Sequence, residues 1–234
     1  MTNDRGFLPK ARREELDERL RQRLDRWYAN AYEDDNLFLT LARRPGVLDA
    51  TWGFIRYIYG GGSLIEPELF ELVRKKLAYN NRCLHCSAVT SRAALAGDAT
   101  AGEGAAVLEK LFDYERSDLP ARTKAALAFA DRLSGEHTGF DDTEYQRLRG
   151  HFSDDEILDL GMTIGFAIGW QRFNTAMEIL PDSWRDGSPL PWQPMLDADR
   201  TGAASGVDTG VDTGVDTGAA SGVDTGARCP EHSS

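Results

Sequence analysis

Apolar residues in this chain return every three or four positions, and nowhere do they alternate cleanly with polar ones as a half-buried strand requires. Leu16, Leu20, Leu24, Trp27 and Tyr28 share one helical face between about Lys10 and Tyr32, with Arg, Asp and Glu crowding the other faces. Asn36 to Ala42 is a short apolar piece, Pro45-Gly46 punctuates, and Val47 to Tyr59 reads as a second helix. Gly60-Gly61-Gly62-Ser63 must break it, since three glycines cost too much backbone entropy inside a helix. Pro67 suits the first turn of the next helix, which runs to about Tyr79. Asn80-Asn81 can end it and cap a helix that starts near Arg82 and reaches Gly97. Further helical signals cover Gly104–Phe112, Pro120–Leu133, Asp142–Gly150 and Ser153–Glu178. The pattern predicts an all-α fold.

The last of these helices opens on Ser153 and Glu156, a capping-box spacing. Its middle, Leu158 to Phe173, is apolar nearly all round, which predicts burial in the domain or in a subunit interface. Composition changes after Trp192. From Thr201 the chain repeats Val-Asp-Thr-Gly, at Val207, Val211, Val215 and Val223. A glycine-rich period of four without large apolar residues cannot bury a core, so disorder is expected there. The organisation read from the chain is an N-terminal helix over 1–34, a helical-bundle domain over 35–195 and a low-complexity tail over 196–234.

Hydrophobic residues make up 41% of the 234 residues, enough for a real core. The formal net charge of −11 argues against nucleic acid as a partner. No apolar run is long enough to span a bilayer, and Met1 to Lys10 lacks a signal-peptide core, so a cytoplasmic protein is expected. In that compartment thiols stay reduced unless they are catalytic. Of three cysteines, Cys83 and Cys86 stand three apart, and Cys229 lies near the C-terminus.

A Cys-x-x-Cys pair at a helix start places two sulfurs on one face, within reach of a disulfide. The unpaired N–H groups of the first turn favour thiolate over thiol. His85 lies between the two and Arg82 precedes them, and a cation or proton shuttle so close would activate a nucleophile. Two other readings remain open on these residues alone. A zinc half-site wants a second ligand pair, whereas His137 and His151 are isolated. Buried structural cysteines would pack as small hydrophobes. Glu71 falls roughly opposite the apolar stripe of its helix (Leu69, Phe70, Leu72, Val73, Leu77), so periodicity makes it a solvated residue able to pair with Lys75.

The order Asn36–Pro45, Gly60–Leu64, Glu71-Leu72-Val73 and Asn81-Arg82-Cys83-Leu84-His85-Cys86, followed by Thr123–Ala130 and Phe152 to Asn174, resembles the carboxymuconolactone decarboxylase superfamily. Alkyl hydroperoxidase D (AhpD) is its redox branch, and the resemblance covers about residues 35 to 180. It implies an AhpD-like helical bundle. It also implies a thiol-dependent oxidoreductase reducing peroxides or disulfides, with antioxidant peroxidase activity. By that match Glu71, twelve residues before Cys83, is the proton-relay carboxylate. Cys86 is the attacking thiol, Cys83 the resolving one, and His85 the histidine inside the motif. Thr90 stands where the family has a further histidine that links the relay to the attacking thiol. A threonine hydroxyl is no general base near neutral pH, which weighs against peroxide turnover and leaves disulfide exchange. The resemblance further implies a homo-oligomer and a thiol donor such as a lipoyl-bearing protein or a peroxiredoxin. No flavin, nicotinamide or metal signature is visible, so no cofactor is expected. The alternatives are a non-redox decarboxylase-like enzyme on a small carboxylate or lactone, and a non-catalytic oligomeric member that lost the relay.

Overall fold

The computed structural model describes residues 6–30, 36–89, 108–181, 187 and 190–192. Among them there is no strand. The helices are α1 (Glu18–Asn30), α2 (Asn36–Ala42), α3 (Pro45–Tyr59), α4 (Pro67–Asn80), α5 (Leu84–Ala88), α6 (Ala121–Ser134), α7 (Asp142–Arg149) and α8 (Asp154–Ala176). Short 3-10 turns occupy Arg13–Glu15 and Lys110–Asp113. No helix among the described residues is long and apolar enough to cross a membrane.

The central element is α4, which packs against α6, α8, α5 and α3. Pro67 stands in its first turn, where the missing N–H costs nothing. Leu69, Phe70, Val73 and Leu77 meet Leu127 and Ala130 of α6 and Leu160 and Ile164 of α8 in the main core. Burying each large side chain contributes about 1.5–3 kcal/mol. A second, smaller core joins Leu16, Leu20 and Leu24 to Phe38 and Leu48. The helix expected from Lys10 is interrupted, because Leu16 is extended (ψ 147°) between the first 3-10 turn and α1.

The glycine break after α3 is realised with Gly61 at φ +83°, a conformation that side chains with a Cβ rarely take. Asp159 of α8 anchors this loop. It accepts from Tyr57 Oη (3.0 Å), Ser63 Oγ (2.8 Å) and the Leu64 N–H (2.6 Å). The capping box of Ser153 and Glu156 forms as the sequence indicates.

Two sequence expectations need correction. The helix carrying the cysteines does not reach Gly97. It is the five-residue α5, ended by extended Val89, and residues 90–107 lie outside those described. The cap comes from Cys83 rather than from Asn80 or Asn81. Within this chain α8 leaves Leu158 (66%), Met162 (65%), Phe166 and Phe173 exposed, so of the two places expected to bury it the domain covers only part. The Val-Asp-Thr-Gly tail and Thr90 fall outside the described residues.

Candidate active site

The turn that delivers the cysteines is tight. After Asn81 closes α4, Arg82 takes φ +53°, an uncommon left-handed conformation for a residue with a Cβ. The Cys83 N–H then returns to the Ala78 carbonyl at 2.9 Å. This reversal puts Cys83 at the N-cap of α5, where its Sγ accepts from the Cys86 N–H at 3.1 Å. The two cysteines are joined in a disulfide with Cα atoms 5.2 Å apart. Cys83 is covered, whereas Cys86 lines a cavity of about 600 Å³. Glu71 and His85 line the same cavity, so the sequence-selected residues within the described range converge on one place.

Glu71 is fully buried, not solvated, and its partner is Arg74 rather than Lys75. A helical wheel sorts by face. It cannot show that α4 is enclosed on nearly every side and that Glu71 is neutralised from within the helix. The Arg74 Nε and Nη2 donate to Glu71 Oε2 (2.9 Å) and Oε1 (2.6 Å), and Tyr59 Oη donates to Oε2 (2.7 Å). Arg74 reaches onward, giving Nη1 to the Cys86 carbonyl (2.8 Å) and Nη2 to the Val89 carbonyl (2.6 Å). Lys75 Nζ donates to the Ser87 carbonyl. A helix of five residues leaves most of its carbonyls without intrahelical donors, and two cations from α4 take two of them, together with the carbonyl of Val89 at its C-cap.

The electrostatics follow from this enclosure. Burial opposes the Arg74 charge, but Glu71 beside it overrides the penalty and raises its pKa. For Lys75, burial and then the charge of Arg74 push the pKa down to about 7. His85 is buried beside the charges of Arg74 and Lys10, and its pKa falls from 6.5 to about 3. It is therefore neutral at physiological pH and cannot be the cation that the sequence suggested. The fixed positive charge of the site belongs to Arg74. Burial and Glu71 together hold Tyr59 well above its ordinary range, so it stays a donor.

α8 supplies residues that sequence reasoning missed. Asn174 Nδ2 donates to Cys86 Sγ at 3.5 Å, and Gln171 Nε2 to the Arg74 carbonyl at 3.0 Å. Both are buried polar side chains in a mostly apolar helix, three positions apart, a pattern visible in the sequence as amides on an otherwise core-facing stripe. Arg74 was findable as the i+3 partner of Glu71. Among the described residues no cluster of His, Cys, Asp and Glu could hold a metal ion, so the cysteine pair has no zinc-completing partners there.

Much of the remaining cavity wall is aromatic. Trp27, Phe38 and Trp52 pack together, Phe38 and Trp52 stacked at 4.7 Å and Trp27 edge-on to Phe38 at 4.8 Å. Phe54 stacks on Phe166 at 3.7 Å, and Phe166 meets Trp170 edge-on at 5.3 Å. An apolar chamber with a few convergent polar groups at one place is the usual form of a small-molecule site.

Solved structures share this arrangement of helices. The alkylhydroperoxidase AhpD core protein from Ralstonia eutropha, an uncharacterized peroxidase-related protein, superposes with a TM-score of 0.62 at 20% identity, over 82% of this chain and 95% of that one. The chain has the AhpD fold. A second uncharacterized peroxidase-related protein, from a Silicibacter species, matches at TM-score 0.59 and 20% identity, over 76% of this chain and 91% of that one. The debrominase Bmp8, solved in complex with 2,3,4-tribromopyrrole, matches at TM-score 0.60 and 18% identity, over 86% of this chain and 99% of its own. No protein-family model and no curated protein matches the sequence. At these identities the likeness speaks for the AhpD fold alone.

Proposed function

We propose that this protein is a thiol-dependent oxidoreductase in which Cys86 reacts with substrate and Cys83 resolves. The observation that carries the reading is the asymmetry of the pair: Cys86 borders the cavity, and Cys83 lies covered behind it with the Cys86 N–H aimed at its sulfur. In the oxidative half, the Cys86 thiolate attacks the distal oxygen of a hydroperoxide. The O–O bond breaks, an alcohol leaves with one proton, and Cys86 becomes a sulfenic acid. The Cys83 thiolate then attacks Cys86 Sγ, the S–S bond forms and water departs. In the reductive half a dithiol donor attacks Cys86 Sγ and Cys83 leaves as a thiolate, its charge accepted by the Cys86 N–H. Two electrons thus pass from the donor dithiol to the peroxide. Exchange with a substrate disulfide uses the same two sulfurs without the sulfenic step.

Glu71, held by Arg74 and Tyr59, is the carboxylate for proton traffic at the cavity wall. Neutral His85 stands at the same wall as a polar group, since burial holds its pKa at about 3 and keeps it from serving as the proton acceptor at neutral pH. A lipoyl-bearing protein or a peroxiredoxin-like partner is the donor class that the dithiol chemistry suits, and the exposed apolar residues of α8 support a homo-oligomer. The aromatic lining favours a second reading, reductive dehalogenation of a flat haloaromatic, the kind of ligand bound to Bmp8. There the dithiol supplies two electrons, a proton replaces the halogen, and halide leaves as the disulfide forms. The test is peroxide consumption and halide release by the reduced protein, each against Cys86→Ser. Loss of whichever activity the wild type shows supports the reading, and activity unchanged in Cys86→Ser refutes it.

A further inference from the structure

The amide side chains that α8 brings to the cavity wall, Gln171 and Asn174, are not equally engaged. Gln171 spends both ends on the protein: its Nε2 donates to the Arg74 carbonyl at 3.0 Å, and its Oε1 accepts from Asn81 Nδ2 at 2.9 Å. Asn174 spends one. Its Nδ2 donates to Cys86 Sγ at 3.5 Å, whereas its Oδ1 is buried and meets no donor among the described residues. Asn174 is 1% exposed, so bulk solvent does not satisfy that oxygen. Buried acceptors are nearly always paired, because an unpaired one gives up its bonds to water without replacement. Asn174 and Cys86 line the same cavity, so the unpaired oxygen stands one carboxamide's width from the sulfur that substrate meets. The orientation of the amide follows from the chemistry: a thiolate only accepts, so it takes the N–H edge and leaves the carbonyl turned away.

We propose that Asn174 is a catalytic residue of the peroxide reaction: its Nδ2 holds the Cys86 thiolate, and its Oδ1 accepts the O–H of an organic hydroperoxide and seats the distal oxygen on the sulfur. The distal oxygen carries that hydrogen and is also the atom attacked, so one carboxamide aligns nucleophile and electrophile. A sulfur lone pair forms the S–O bond, the O–O electrons leave on the alkoxide, and the proton given up by the Cys86 thiol ends on that alkoxide as the alcohol. The transferred O–H, now part of the sulfenic acid, keeps its bond to Oδ1 until Cys83 attacks Cys86 Sγ. Hydroxide then departs with the proton of the Cys83 thiol as water. A disulfide substrate brings no such donor to its reacting atom, so the carbonyl has no part in thiol–disulfide exchange. This inference deepens the peroxide branch of the proposed function and rests on it.

The experiment compares two oxidants of the reduced full-length protein: cumene hydroperoxide, and dithiodipyridine, a disulfide without a hydrogen-bond donor. Asn174→Leu nearly keeps the side-chain volume and removes both amide groups, and Asn174→Asp keeps an oxygen acceptor. In Asn174→Leu both reactions should slow at neutral pH, because Cys86 loses a donor to its thiolate. At alkaline pH, with Cys86 ionised in either protein, the disulfide rate should recover while the hydroperoxide rate stays about tenfold down. Asn174→Asp should regain part of that hydroperoxide deficit. Equal deficits for the two oxidants at alkaline pH, or none for either, overturn the inference, because the amide then acts on the thiol alone or only fills space. Binding to the wild type gives a second readout that needs no variant to fold, followed by the fluorescence of Trp27, Trp52 and Trp170 in the cavity wall. Cumyl alcohol, which has the O–H, should bind at about tenfold lower concentration than cumyl methyl ether, which lacks it. Equal affinity of alcohol and ether overturns the inference. A wild type that reacts with neither oxidant refutes the proposed function itself, whereas one that reacts with both and fails the alkaline or the alcohol comparison refutes the role of Asn174 alone.

Discussion

The backbone N–H of Cys86 points at Cys83 Sγ across 3.1 Å, while the sulfur of Cys86 itself receives the side-chain amide of Asn174 at 3.5 Å. The two thiols are therefore not equivalent. The covered sulfur is the one whose negative charge the backbone of α5 accepts, and the cavity sulfur is the one a substrate can reach. The division suits a leaving group and a nucleophile respectively. It predicts unequal outcomes when each is removed. Cys83→Ser should accumulate a mixed disulfide in which the Cys86 thiolate has attacked a small-molecule disulfide and expelled half of it as a thiol, detected as an added mass on the Cys86 peptide. Cys86→Ser should form none. Equal trapping at both positions would reverse the assignment.

Arg74 spans the site, holding Glu71 on one side and two carbonyls of the cysteine segment on the other. Removing it leaves a carboxylate buried without its counter-charge, a loss of about 3–5 kcal/mol. Urea denaturation of Arg74→Met should show that loss. The double variant Arg74→Met with Glu71→Met should recover part of it, because the orphaned charge is gone. A double variant less stable than Arg74→Met alone would contradict the buried-pair account.

His85 makes stability sensitive to acid. Its folded pKa of about 3 lies below the 6.5 of the free side chain, chiefly through burial. Between those values the unfolded chain holds a proton that the folded chain does not, so stability rises with pH across the window and falls on acidification. Below about pH 3 both states are protonated and the contribution is flat. The stability difference between wild type and His85→Asn should therefore shrink as pH is lowered from about 6.5. A pH-independent difference would show that His85 is not buried as described.

Much of this architecture was legible in the chain. Leu20 and Leu24 announce the buried face of α1, Pro67 opens α4, and Ser153 with Glu156 caps α8, because each signal is local. The cysteine pair was legible as a pair, but not as an N-cap with its helix ending at Ala88, since the stop depends on Arg74 and Lys75 reaching across from α4. Glu71 was misplaced by periodicity for the same kind of reason: an ion pair made inside one helix lets a charged residue face a core. Asn174 meets Cys86 from 88 positions away, a contact only the assembled bundle creates.

The exposed side of α8 carries the expectation of a homo-oligomer. Leu158 and Met162 are each about two-thirds exposed, an apolar patch that association would cover. Light scattering on Leu158→Glu combined with Met162→Glu should show a smaller species than the wild type, with helical content unchanged by circular dichroism. An identical mass for both would place any subunit contact elsewhere.

The most direct test is a single turnover of the reduced protein with one equivalent of a small organic hydroperoxide, quenched by alkylation and mapped by peptide mass. The account predicts that a Cys83–Cys86 disulfide appears as one peroxide is consumed, and that dihydrolipoamide restores both thiols. If both cysteines remain alkylatable after excess hydroperoxide and after excess small-molecule disulfide, the pair is structural and the redox account fails.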